Sequence, residues 1–143
     1  MSYKFLEHTG DTAVEIHAAD EVELFRDGAR ALLDILVDQE HGKPVEKKKT
    51  LPLRLEAEDA ESLLVDYLNE LIFLFDSRSF LCVDVDCEQV RIEKPSQIVA
   101  TLRGESFDPE RHHSLTEVKA ATFHDMEIHK TPAGLWTTLV FDL

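Results

Sequence analysis

The chain has 143 residues, 43% hydrophobic and 31% charged, the balance of a folded protein rather than a disordered one. One domain over residues 1–143 is expected, long enough to bury roughly two-thirds of its unfolded surface. Its 29 Asp and Glu against 15 Lys and Arg leave a net charge of −14, which repels phosphate backbones and excludes the basic patch from which direct nucleic-acid binding starts.

No apolar run approaches the ~20 residues of a membrane span, and the opening Met1 to His8 lacks the apolar core of a signal peptide. No membrane partner is therefore expected, and a cytoplasmic location is. The longest basic run, Lys47 to Lys49 with Lys43 nearby, is too small to reverse the acidic balance. Any nucleic acid in this protein's biology is expected to enter through a basic partner protein. Cys82 and Cys87 are too few for a disulfide framework or a zinc site, and their spacing predicts opposite faces of one strand, which a mutual disulfide could not join.

In chain order, Tyr3 to about Glu7 reads as a short strand running into a tight turn at His8-Thr9-Gly10-Asp11. Thr12 to Ala18 alternates, with Val14, Ile16 and Ala18 on one face and Glu15 and His17 on the other, the pattern of a half-buried strand. Asp20 followed by Glu23 resembles a capping box. Val22, Phe25, Ala29, Leu32, Leu33 and Leu36 then recur at helical spacing, and the helix is expected to end near Val37. After a linker-like stretch at 43–50, Leu51, Leu53, Leu55 and Ala57 alternate with Pro52, Arg54 and Glu56, a strand whose Pro places it at an edge or a strand start. Asp59 with Ser62 opens a second helix. Its stripe of Leu64, Tyr67, Leu68, Leu71, Leu74 and Phe75 is denser than the first, predicting deeper burial, and it finishes near Arg78.

From Phe80 onward the pattern is of strands. Leu81, Val83, Val85 and Cys87 alternate with Cys82, Asp84 and Asp86, and Pro95-Ser96 turns the chain into a strand over 97–103. A long polar loop, 104–116, contains His112-His113. A strand over 117–130 then turns at Pro132-Ala133-Gly134 into a final strand over 135–141. Two helices followed by a run of strands predict an α+β sandwich, with both helices on one face of a mixed, mainly antiparallel sheet.

Several polar groups are candidate site residues. Asp84 and Asp86 share a predicted strand face, as two metal ligands would, but a solvated face or charge that protects a strand edge is the favoured account of them. His112-His113 lies in a loop, where functional residues concentrate and where solvent-facing histidines are also common. Lys119 sits in a small, apolar run and either reaches solvent or meets a carboxylate. Asp11 sits on a turn, where it could bond to its own backbone or bind a ligand. Asp142 is next to last, within reach of the terminal carboxylate of Leu143, and such close acidic groups repel unless water or a cation intervenes. Oxygen donors from turns and strand ends suit Ca²⁺ or Mg²⁺ rather than zinc. The sequence carries no phosphate-cradling glycine loop and no nucleophile elbow. Taken by themselves, these residues reach an acidic two-layer domain with a carboxylate-rich site at its strand ends.

Five segments together resemble the archease family: Tyr3 to Asp11, the helical run Leu63 to Leu74, Gly104-Glu105 with Asp108 and His112, Val118 to His124, and the closing Phe141-Asp142-Leu143. The resemblance spans nearly the whole chain in register. It implies an accessory protein, not an enzyme, that activates the RNA ligase of tRNA splicing by promoting its GTP-dependent guanylylation and multiple turnover. It further implies a divalent ion, Ca²⁺ before Mg²⁺, on Asp11, Asp142 and Leu143, and functional roles for Lys119, His112 and Glu105. Gly10 stands where many relatives carry a small residue such as Ala, and the adjacent His113 leaves the identity of the loop histidine open. A general chaperone of RNA- or DNA-processing proteins is the alternative, and a metal-dependent hydrolase built on Asp11 and Asp142 is a third reading.

Overall fold

The computed structural model describes residues 2–7, 10–123 and 126–143, with the backbone alone of Glu7. Among them the elements run β1 (Ser2–Glu7), β2 (Asp11–Ala18), α1 (Glu21–Leu36), β3 (Val37–Asp38), β4 (Lys49–Ala57), α2 (Ala60–Arg78), β5 (Phe80–Arg91), β6 (Ser96–Ser106), β7 (His113–Ser114), β8 (Ala120–Thr122), β9 (His129–Thr131) and β10 (Gly134–Asp142). The fold is α+β. Its strands form three antiparallel sheets rather than one mixed sheet: β1-β2-β10-β8 with β9 also on β10, β4-β6-β5, and the small pair β3-β7. Both helices pack against strands of the two larger sheets. Among the described residues, no helix is long and apolar enough to cross a membrane.

Both helices begin where their caps dictate. The Asp20 carboxylate accepts the Glu23 N–H at 2.9 Å, and Glu23 reaches back to the Ala19 N–H at 2.8 Å, one residue beyond the usual return bond of a capping box. In α2, Asp59 accepts from the Ser62 N–H at 2.8 Å, and the helix stops at Ser79 in the left-handed region (φ 56°). Leu24, Phe25, Leu32, Leu33 and Leu36 of α1 are buried, as are Leu63, Leu64, Tyr67, Leu68 and Leu71 of α2. Val22 and Phe75 are only half-buried, and the Phe75 ring meets the edge of Phe107 instead. The buried Tyr67 hydroxyl donates to the Phe25 carbonyl at 2.8 Å, so the contact between the helices leaves no polar atom of that ring unsatisfied.

Three strand expectations are corrected. The first concerns β5, where an even alternation was expected. A bulge leaves Val83 as the extra residue, since Cys82 pairs with Gly104 and Asp84 with Arg103. Phe80, Cys82, Val85 and Cys87 therefore share one face, and Asp84 joins Leu81 on the other. Cys82 and Cys87 thus lie on the same face and not on opposite ones, but opposite Gly104 and Ala100, roughly 13 Å apart along the strand. Both thiols are free.

The bulge also marks a close backbone approach. A Cβ on Gly104 would lie 1.8 Å from the Leu81 carbonyl oxygen, so only glycine fits there. Second, among the described residues the strand expected over 117–130 is two short pieces, β8 and β9, the stretches that find a partner edge on β10. Third, the expected loop 104–116 is partly ordered: β6 continues to Ser106, and β7 pairs with β3. Of the expected turn, Gly10 is described, at φ +76°, a conformation that favours glycine. His8 and Thr9 of that turn, and His124 of the expected strand, lie outside the described residues.

Candidate functional site

Register places the two aspartates together. β2 begins at Asp11, β10 ends at Asp142, and these two residues are direct partners in the antiparallel ladder. Their carboxylates therefore leave the same face of the sheet, with Cβ atoms about 4.5–5.5 Å apart by strand geometry. Asp11 is half-buried and Asp142 exposed. Asp142 also pairs with Ala120 of β8, and the Lys119 N–H donates to the Asp142 carbonyl at 2.8 Å. Lys119 is exposed, while Val118 before it is buried. Leu143, half-buried, packs against the core.

Like charges directly opposite each other in a sheet are destabilising, and a cation between them removes that cost. Oxygen-only donors at this separation fit a hard divalent ion with metal–oxygen bonds of ~2.4 Å. No group of three or more His, Cys, Asp or Glu able to hold a metal occurs among the described residues. For such an ion Asp11 and Asp142 would supply two carboxylates, and Leu143 a carbonyl oxygen.

Glu105 and His112 come together in a second constellation. Glu105, 3% exposed, is held by the Arg111 guanidinium through both carboxylate oxygens and accepts the Glu46 N–H at 2.5 Å. The Arg111 bond, followed by that backbone bond and outweighing burial, pulls the Glu105 carboxyl down to about 2. His112 is buried, with Nε2 3.4 Å from a Glu105 oxygen. Its Nδ1 accepts the Asp108 N–H at 2.9 Å, which assigns the ring proton to Nε2. The ring lies against Phe107, whereas His113 is exposed, so His112 is the loop histidine that is built into the structure. This constellation ties β6, the strand-flanking segment at residue 46 and the 107–112 loop into one unit. The segment leading on to Lys119 is pinned by the Leu115 N–H to the Leu36 carbonyl at 3.0 Å.

Asp84 is neither a ligand pair with Asp86 nor a solvated edge charge. It is 6% exposed and sits among Arg26, Arg30 and Lys47, with Arg26 and Lys47 donating at 3.0–3.1 Å. Burial opposes its charge, but the bonds from Lys47, the Val85 N–H and Arg26 outweigh burial and keep its carboxyl below the usual range. Asp86 is exposed and pairs with Arg103. Sequence reasoning missed Arg111 and Asn69. The Asn69 side chain both donates to and accepts from the backbone of Ala121, at 3.1 and 2.8 Å, and so occupies the free edge of β8. Its signal was an amide set among leucines in the middle of an apolar helix.

A profile of the archease protein family (MTH1598/TM1083) matches residues 3–143. Curated relatives include archeases of Pyrococcus abyssi, 37% identical over 94% of this chain and 92% of that one, and of Archaeoglobus fulgidus, 35% identical over all of both chains. Among solved structures, protein 1598 of Methanobacterium thermoautotrophicum superposes with a TM-score of 0.74 at 28% identity, covering 99% of this chain and 98% of that one. An archease of Thermotoga maritima, described as a possible chaperone, gives 0.59 at 25% identity, covering 98% and 96%. Fold and length thus define a class of small α+β proteins with shared architecture. The chain belongs to the archease family.

Proposed function

We propose that this chain is a non-catalytic accessory protein that activates the RNA ligase of tRNA splicing in the cytoplasm, promoting its GTP-dependent guanylylation and its release for further turnovers. The observation that carries the reading is the register pairing of Asp11 with Asp142, beside Lys119, at one end of a sheet. The resemblance of the sequence motifs implies the partner class. The net charge of −14 suits docking on a basic RNA-handling enzyme, because complementary charge speeds and orients encounter. RNA itself is left to the ligase.

Asp11 and Asp142 would hold a divalent cation, Ca²⁺ before Mg²⁺, with oxygens of Leu143. When bound, the ion supplies positive charge that offsets the repulsion between the two carboxylates. Asp142, exposed, presents its carboxylate to the partner; Asp11, half-buried, anchors the pair to the sheet. The Lys119 backbone holds the end of β10 in place, and its side chain offers a cation for the partner to read. Glu105 and His112, both buried, position the segment that leads to Lys119 rather than touching the partner.

The test mixes the purified protein with the ligase, GTP and RNA ends, and follows product beyond one turnover. Asp142→Ala and Lys119→Ala are expected to melt near the wild-type temperature and to lose most of the stimulation. Full stimulation by either variant removes that residue from the site. Equal help to unrelated RNA-processing enzymes would favour the chaperone reading, and product formed without ligase would favour the hydrolase.

A further inference from the structure

Phe73 lies on α2 with 58% of its surface exposed, although that helix otherwise buries its large side chains well. Asp66, Glu70, Asp76 and Ser77 fall at helical spacing on the same stripe, and Asp66, Asp76 and Ser77 are exposed while Glu70 is half-buried. Phe73 is thus an aromatic ring set among acids. Hydrophobic residues scattered singly on a surface are ordinary; the position of this one gives it meaning.

Two ties fix α2 against the segment leading out of β8. The Ile128 N–H donates to Glu61 at 3.0 Å, and Asn69 bonds both ways with Ala121. From Glu61 to Asn69 the helix rises about 12 Å, while the facing chain runs backward from Ile128 to Ala121. The next turn of α2, about 6 Å further on, carries Phe73 past Ala121 toward residues 118–120. Lys119 stands there, and its N–H is bonded to the Asp142 carbonyl at 2.8 Å. Beyond the Asn69–Ala121 tie α2 thus runs toward the Asp11–Asp142 end of the sheet, and Phe73 lies one turn further in that direction.

We propose that Phe73 is the aromatic anchor of the surface through which this chain docks on its protein partner, an RNA ligase presenting an apolar pocket rimmed by Lys and Arg. The inference rests on the function proposed above. An aromatic side chain at the centre of a desolvated contact is the residue type that dominates interface energetics. The acids around it select a basic rim and reject an acidic one. Lys119 and Asp142 then act on the ligase, and Phe73 holds them there.

The experiment titrates the ligase with wild-type protein, Phe73→Ala, Phe73→Tyr and Phe5→Ala, recording guanylylation, direct binding and melting temperature. Phe5 is a matched control. It is also exposed, but it lies on β1, at the opposite edge of the same sheet from β8. Phe73→Ala is expected to raise the half-saturating concentration at least 30-fold, about 2 kcal/mol at 1.4 kcal/mol per tenfold, while reaching wild-type stimulation at saturation. Tyr should retain affinity, Phe5→Ala should match wild type, and all four should melt together. An unchanged half-saturating concentration for Phe73→Ala, or a melting temperature several degrees lower, overturns the anchor and leaves activation standing. A wild-type protein that neither binds nor stimulates the ligase removes both readings.

Discussion

Gly28 sits in the middle of α1, facing α2 and β10, and Gly28→Ala is expected to stabilise the protein. A Cβ built there would meet Leu68 Cδ2 at 3.5 Å, Leu139 Cδ1 at 3.8 Å and Leu64 Cδ1 at 3.9 Å, ordinary contact distances that require no displacement. Glycine within a helix costs about 0.8–1.0 kcal/mol relative to alanine, and a buried methyl adds up to ~0.8 kcal/mol. Allowing for small adjustments of three leucines, the net gain is about 1 kcal/mol, or about 3–4 °C in melting temperature for a chain of this size.

Denaturant unfolding should show a higher midpoint with an unchanged slope, which identifies a stability change and not an altered unfolded state. The fully buried Leu68 supplies a cross-check. Leu68→Ala alone should cost about 2–5 kcal/mol, and less by about 0.5 kcal/mol when Gly28→Ala is present, because the new methyl intrudes on the vacated space. A loss of more than about 0.5 kcal/mol from Gly28→Ala would falsify this account, by showing that the helices need the missing Cβ in order to approach.

Glu105 titrates at about 2 in the folded protein against 4.5 unperturbed, so its contribution to stability is complete above pH 4.5 and is lost as the pH falls through about 2. Arg111→Ala removes the main cause and should move acid unfolding, followed by circular dichroism, to higher pH; an unmoved transition refutes the linkage. Millimolar Ca²⁺ should raise the melting temperature of the wild type but not of Asp11→Asn or Asp142→Asn, and equal shifts in all three would place the ion elsewhere. Gly104→Ala drives a Cβ into the Leu81 backbone and should cost about 3 kcal/mol or more; a neutral result in thermal denaturation contradicts that close approach.

The helices were legible because their signals are local. Asp20 with Glu23 and Asp59 with Ser62 mark the starts, and the leucine spacing fixes the buried face, each within a few residues of chain. The bulge at Val83 was not legible, since an even alternation of Leu81, Val83 and Val85 reads straight through it and only the pairing with β6 exposes the extra residue. The short strands β8 and β9 failed for a related reason. Their composition suits a strand throughout 117–130, and where pairing stops depends on the edge of β10 that is available.

The site divides in the same way. That Asp11 stands on the turn before one strand and Asp142 at the end of another could be read from turn chemistry and alternation; that each is the terminal residue of its strand, and that the two meet, are properties of register between distant segments. The capture of Glu105 by Arg111 depends on how a polar loop folds back, and the burial of Asp84 depends on cations from α1 and from Lys47. Neither partnership leaves a pattern in the neighbouring sequence.

β10, the last strand in chain order, lies in the interior of its sheet, between β2 and β8. Its pairing with β2 closes a loop that contains both helices and the whole β4-β6-β5 sheet, and contacts so remote in sequence are slow to form. Asp11 and Asp142 become neighbours only when that loop has closed. A partly folded chain, however much helix it holds, presents two isolated carboxylates, so an ion or a partner that recognises the pair selects finished molecules from unfinished ones. Binding at that pair would draw the population toward the closed sheet, and the acid pair would then report completed folding.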